Sequence, residues 1–238
     1  MGSIQLILQN EKEKEISLCS EKQRNLLYIM KQNAYRLVRL VNNLIDISKC
    51  EVGFLKLNKH NYNIVSIVED ITLSVCEYFK MNDIKIIFDT NTEEKIMAVD
   101  VDKIERIMLN LLSNSMKFTD KGGEVAVNLT DIGEYVMISV KDTGIGIPEE
   151  KINQIFNRFE QVDKTFTRKR EGSGIGLALV KSLVELHGGS ISAKSKINEG
   201  SEFIIKLPIT VVNNEETQIE IFDSKVDKIS IEFSDIYS

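Results

Sequence analysis

Residues 110–118 read NLLSNSMKF and close a helical stretch that begins near residue 102. Asn110, Asn114 and Lys117 fall at i, i+4 and i+7 and share one ridge, while Leu111, Leu112, Met116 and Phe118 mostly turn toward a core. Two amides and an ammonium on one ridge suit phosphate oxygens and a hydrated magnesium ion, which takes oxygen ligands and keeps several waters. An ordinary solvated helix face has the same spacing. Asp102 is a natural N-cap for this helix.

Three further patterns follow in order along the chain. DTGIGIP (142–148) comes directly after a strand. A carboxylate there can accept a hydrogen bond from an exocyclic amine such as that of adenine, and Gly144 and Gly146 let the backbone turn sharply beside a flat ring; a plain turn before Pro148 would look alike. IFNRFEQVD (155–163), continuing as KTFTRKREG (164–172), offers Phe156 and Phe159 as anchors. Arg158, Lys164, Arg168, Lys169 and Arg170 are cations for a lid closing on phosphates, or for a merely solvated basic loop. GSGIGLAL (172–179) places Gly172, Gly174 and Gly176 before a helix N-terminus, where free N–H groups and the helix dipole attract anions. It is neither a Walker loop nor a dinucleotide fingerprint, because no GK[ST] follows and no βαβ unit surrounds it.

Around these patterns the chain alternates strands and helices. Strands are predicted over 84–90, 96–100, 124–133, 134–144, 190–196 and 201–208. Helices are predicted over 66–81, 102–118 and 175–189, the last ended by Gly188, with a short one around 149–156. The implied fold class is α+β, a two-layer α/β sandwich with helices on one face of a mixed, mostly antiparallel sheet.

A long helix over 21–51 precedes it. Leu27, Met30, Ala34, Leu37, Val41, Leu44 and Ser48 are spaced 3,4,3,4,3,4, a heptad seam that needs partner helices. Residues 4–10 (IQLILQN) supply one expected partner and another chain the rest. Lys31, Gln32, Arg36, Arg39, Asn42, Asn43, Asp46 and Lys49 fill the other faces. At the far end NNEETQ (213–218) reads as a linker, and IEIFDSKVDKISIEFSDIYS (219–238) alternates as one or two added strands would.

Composition narrows the function. The 238 residues are 42% hydrophobic, enough for a sizeable core, and carry a net charge of −6, which argues against nucleic acid as a partner. Cys19, Cys50 and Cys76 form no CxxC pair and are odd in number, so they read as reduced thiols. No stretch approaches the ~20 apolar residues of a membrane span. The chain is expected to be the cytoplasmic piece of a longer protein, membrane-associated only through segments outside this sequence.

The series NLLSNSMKF, DTGIGIP, IFNRFEQVD, GSGIGLALVKSLVELHGGSI and GSEFIIKLP resembles the N, G1, F and G2 boxes of the sensor histidine kinase catalytic domain, the Bergerat ATP-binding fold. The likeness covers about 60–210. Helix 21–51, ending LVNNLIDISK, resembles the second helix of that family's dimerisation and phosphoacceptor region. The resemblance implies three parts: 4–58, a truncated dimerisation region without the acceptor histidine; 60–210, the ATP-binding domain; and 211–238, an acidic extension. It implies ATP and Mg²⁺ as cofactors, with Asn110 on the metal and Asn114 and Lys117 on the phosphates. Asp142 would read the adenine amine, with Gly144 and Gly146 lining the base pocket. Gly172, Gly174, Gly176 and Leu177 would shape the phosphate end, with Arg158 among the lid cations and Ser201 assisting Asp142. It further implies a homodimeric parent protein, transfer of the ATP γ-phosphoryl group to a histidine, and relay to an aspartate of a response-regulator receiver domain.

Two departures qualify the resemblance. His60 (NKHNY) and His187 (ELHGG), the two histidines of the sequence, do not sit in the acceptor context, so the chain alone is expected not to phosphorylate itself. The fold's ATP-hydrolysing relatives resemble one another in a water-activating glutamate one turn before the magnesium asparagine; here that position is Arg106, and Glu105 points roughly 100° away. Alternative readings are a nucleotide-sensing scaffold without transfer activity and a coiled-coil interaction module.

Overall fold

The computed structural model describes residues 21–160, 174–213 and 226–234. Helix α1 (Glu21–Glu51) leads into β1 (His60–Asn63), α2 (Ile64–Ser74) and α3 (Cys76–Met81), then β2 (Lys85–Thr90) and β3 (Ile96–Val99). Helix α4 (Val101–Phe118), β4 (Glu124–Asp131), β5 (Tyr135–Asp142) and a 3₁₀ turn (Glu149–Lys151) follow. The remaining elements are α5 (Gly176–Leu186), β6 (Ser190–Lys196), β7 (Gly200–Pro208) and α6 (Val226–Glu232). No helix among the described residues is long and apolar enough to cross a membrane.

Strands order as β2-β4-β5-β7-β6 in one sheet, with β2 and β4 parallel and every other pair antiparallel. Strands β1 and β3 form a separate antiparallel pair. In β4 and β5 one face carries Val125, Val127, Leu129, Val136, Ile138 and Val140, all inaccessible to water or nearly so. Against it lie Leu111, Leu112, Leu179, Val180 and Leu183 from α4 and α5. Full burial of such side chains stabilises by about 1.5–3 kcal/mol each, which is what holds the helical layer to the sheet.

Several boundaries differ from the sequence-based expectation. The N-cap of α4 is Asp100, not Asp102: its carboxylate accepts from the Lys103 amide, while Asp102 already lies inside the first turn. The predicted helix at 66–81 breaks at Val75 into α2 and α3, and the helix expected around 149–156 is one 3₁₀ turn. Strand β1 went unpredicted because HNYN has no alternation of its own and pairs only with the distant β3. The alternating tail contributes the helix α6 over its described residues, not strands.

Helix α1 presents an unexpected face. Leu27, Met30, Leu37, Val41 and Leu44 of its seam are exposed, whereas Arg39, Asn43 and Ile47 are buried against the rest of the chain. The α/β sandwich therefore sits on the polar side of α1, and the apolar seam stays open to other helices. The partner expected from residues 4–10 lies outside the described residues.

Candidate nucleotide site

The ridge of α4 joins two clusters. At its C-terminal end, β5 delivers Asp142, 3% exposed, to the edge of the helical layer. Its Oδ1 accepts from the Gly144 amide at 2.9 Å and from the Ser201 amide at 3.2 Å, Ser201 standing directly opposite across β7. Burial pushes the Asp142 carboxyl above the usual carboxylate range, and the two amides pull it partly back. The buried Ser115 hydroxyl lies beside this carboxyl and also pulls it down. The Ser201 hydroxyl pairs with Ser195 Oγ at 2.9 Å, so Ser201 reaches Asp142 through its backbone.

The loop after Asp142 folds back onto α4: the Ile145 amide donates to the Phe118 carbonyl at 3.2 Å. Gly146, at φ +72°, packs so closely that a Cβ would lie 2.0 Å from the Lys196 carbonyl oxygen. That glycine is demanded by contact with the β6–β7 turn, beyond any approach of a ligand.

At the other end, Asn110 Nδ2 donates to the Arg106 carbonyl at 2.9 Å, and Oδ1 faces the first turn of α5, where a Cβ on Gly176 would meet it at 2.7 Å. The first turn of α5 thus stands against the Asn110 amide oxygen. Between Asn110 and Phe118 the helix advances about 12 Å at 1.5 Å per residue, the scale of an extended nucleoside triphosphate. Asn114 and Lys117 are half-buried along the same ridge, and the Lys117 ammonium stands 5.7 Å from the Phe118 ring centroid.

Other expected residues fall differently. Arg158 pairs with Glu51 of α1. Phe156 is an anchor, edge-on to Phe203 with ring centroids 6.5 Å apart, but Phe159 is 66% exposed and anchors nothing. Gly174 is at φ +67° against Phe159 and Glu160, and Leu177 packs on the core. Gly172, Lys164, Arg168, Lys169 and Arg170 lie outside the described residues.

His187 is structural. Its Nε2 accepts from the Asp100 amide at 3.3 Å and its Nδ1–H donates to the Leu183 carbonyl at 2.8 Å, tying the end of α5 to the start of α4 as a neutral imidazole. Burial lowers its pKa accordingly. Glu105 is buried and bound to Lys228 of α6, so it does not face the ridge. Arg106, in the position a hydrolase gives to its base, pairs with Asp46 and donates to Asn43 Oδ1 at 2.8 Å.

Sequence reading missed one residue of this neighbourhood. Glu232 of α6 is buried, with its backbone carbonyl accepting from Arg39 and from Ser113 Oγ one turn from Asn110. Burial pushes it upward in pKa, while Arg39, then Arg106, then Asn110 pull it down. No local pattern marks it, because α6 and α4 meet only in three dimensions.

A buried carboxylate and a helix N-terminus set beside an asparagine thus stand at opposite ends of one ridge of an α/β sandwich. Residues 99–211 match the family described as "Histidine kinase-, DNA gyrase B-, and HSP90-like ATPase". The chain is 33% identical over 191 residues to "Circadian input-output histidine kinase CikA" of Synechococcus elongatus, covering 79% of this chain and 25% of that protein. Full-length ShkA in complex with AMPPNP shares the fold, with a TM-score of 0.70 at 24% identity over 81% of this chain and 40% of that one. The histidine kinase ThkA in complex with response regulator protein TrrA shares it too, with a TM-score of 0.64 at 22% identity over 87% and 57%. Residues 99–211 thus form an ATPase domain of this family, and the relatives named for it are histidine kinases. The chain spans 12–31% of the length of the curated relatives CikA, histidine kinase D and SrrB.

Proposed function

We propose that this chain binds ATP and transfers its γ-phosphoryl group to a histidine, for relay to a response-regulator aspartate, as the cytoplasmic catalytic portion of a sensor kinase. The observation that carries the reading is the pairing of buried Asp142 with Asn110 at the two ends of the α4 ridge. Asp142 accepts from the adenine amine, with Gly144, Gly146 and Ser201 shaping the base end. The amides of Gly176 and Leu177, Asn114 and Lys117 receive the phosphates, with Gly172, Gly174 and Arg158 contributing as the lid closes.

The donor set fits magnesium. Asn110 Oδ1 is a hard oxygen ligand, and among the described residues no cluster of acidic or imidazole side chains competes to hold a cation alone. Asn110 would hold the ion, whose bound charge would neutralise phosphate oxygens during transfer.

In the transfer, an imidazole nitrogen forms the N–P bond as the bond from the γ-phosphorus to its bridging oxygen breaks, leaving ADP. The attacking nitrogen is the unprotonated one, and the proton on the ring's other nitrogen passes to a base beside the acceptor. His187 cannot serve as acceptor, since both its nitrogens are engaged in the core. The acceptor histidine comes from a helix outside this sequence. The exposed seam of α1 is where such a helix, and those of a second subunit, would pack. Hydrolysis should be slow, because Arg106 and Glu105 are both committed elsewhere.

Labelled ATP tests the reading. The chain alone should stay unlabelled, and a peptide carrying the family's acceptor helix, added in trans, should become labelled at histidine. Stable labelling of the chain itself, or no labelling of the peptide despite nucleotide binding, would refute it.

A further inference from the structure

Helix α6 lies C-terminal to the ATPase domain and occupies a slot between α1 and α4. Lys228 binds Asp102 at 2.8 Å and also Glu105, both on α4. The Glu232 carbonyl accepts from the Arg39 guanidinium of α1 and from Ser113 Oγ of α4 at 2.9 Å. Phe233 is wholly buried, its ring centroid 5.3 Å from that of Tyr78 in α3. These contacts seat Glu232 over α4 at Ser113, one turn from Asn110, and burial pushes its carboxyl up in pKa while Arg39, Arg106 and the Asn110 side chain pull it down. Its Oε2 is buried without a hydrogen-bond partner. A buried carboxyl oxygen left unsatisfied is costly, so this arrangement is not what packing alone would select.

We propose that α6 is a built-in competitor of the nucleotide: Glu232, buried beside Asn110, fills the place that metal-bound phosphates would take there, and α6 must leave before ATP binds productively. This rests on the nucleotide reading of Asn110. The α6 helix also ties α1 to α4, so its departure would free the catalytic layer from α1 in the same event. Regulation would then consist of anything that captures or modifies the tail.

The test uses full-length chain titrated with Mg²⁺·ATP by calorimetry. Lys228→Glu sets a carboxylate against Asp102 and Glu105 and should undock α6; Glu232→Ala removes the competing group and leaves the backbone contacts. Both should bind ATP about tenfold more tightly, as expected when a state populated at only a tenth becomes dominant. Asp142→Asn, which alters only the base end, should bind more weakly. Unchanged affinity in the two α6 variants, with Asp142→Asn still weakened, overturns the competition and leaves nucleotide binding standing. Weaker binding in both α6 variants also overturns it, because α6 would then be a wall of the site. If no variant binds ATP, or Asp142→Asn has no effect, the nucleotide reading fails and the competition fails with it.

Discussion

Gly176 and Asn110 are in near contact: the first residue of α5 stands where any Cβ would come within 2.7 Å of the Asn110 amide oxygen. The colliding atom is the end of a side chain, and Gly176 needs no positive φ. Gly176→Ala should therefore leave the fold intact, with stability within about 1 kcal/mol, since alanine also favours the helix. The Asn110 side chain must swing away, however. Mg²⁺-dependent ATP affinity should fall by about tenfold, roughly 1.4 kcal/mol. Paired thermal unfolding and calorimetry would check this, and a loss of fold without a specific loss of binding would contradict it.

Asp142 makes nucleotide binding pH-sensitive. Its carboxyl must be ionised to accept from the base without carrying its own proton, and burial raises its pKa. Affinity should thus decline on acidification at a pH above the ordinary aspartate value of 3.8. Asp142→Asn keeps an oxygen for the Gly144 and Ser201 amides, so it should fold normally, bind ATP weakly and lose this pH dependence. A titration of affinity against pH for both proteins decides it.

His187 predicts an acid limit to stability. The folded state holds it neutral and lowers its pKa below 6.5. The unfolded chain therefore binds a proton first as pH falls. Its contribution is fully present above pH 6.5 and is lost as pH drops through the lower, folded value. Melting temperature should fall through this window in the native chain and fall less in His187→Gln, as thermal scans across pH would show.

The two ion pairs holding the catalytic layer to α1 should differ in strength. Arg106 and Asp46 are largely buried, and Arg106 also reaches Asn43. Asp46→Ala leaves a half-buried guanidinium underpaired and should cost about 1–3 kcal/mol of docking. The Arg158–Glu51 pair is more exposed, with Glu51 at 58%, so Glu51→Ala should cost under about 1 kcal/mol. Hydrogen exchange along α1 would rank the two, and equal effects would contradict the burial argument.

The open seam of α1 should govern self-association alone. Replacing Leu37 and Val41, both exposed, with glutamate should lower any dimer population in sedimentation while leaving ATP affinity within about twofold. A large change in nucleotide affinity would instead place the seam within the site.

The amino-acid sequence by itself determined the boxes and the elements that carry them. Asn110, Asn114 and Lys117 share a ridge because helical spacing is local, and DTGIGIP ends a strand because alternation and glycines are local too. Tertiary structure decided what depends on distant partners. The face of α1 that is buried was settled by Arg106 and Glu232 meeting Asn43 and Arg39, not by the hydrophobic seam. Strand β1 exists because β3 offers it a register, and the alternating tail became a helix where Lys228, Ile229 and Phe233 found seats. Short-range periodicity fixes a segment's preference, but burial of long-range neighbours outweighs it by several kcal/mol wherever that preference is weak.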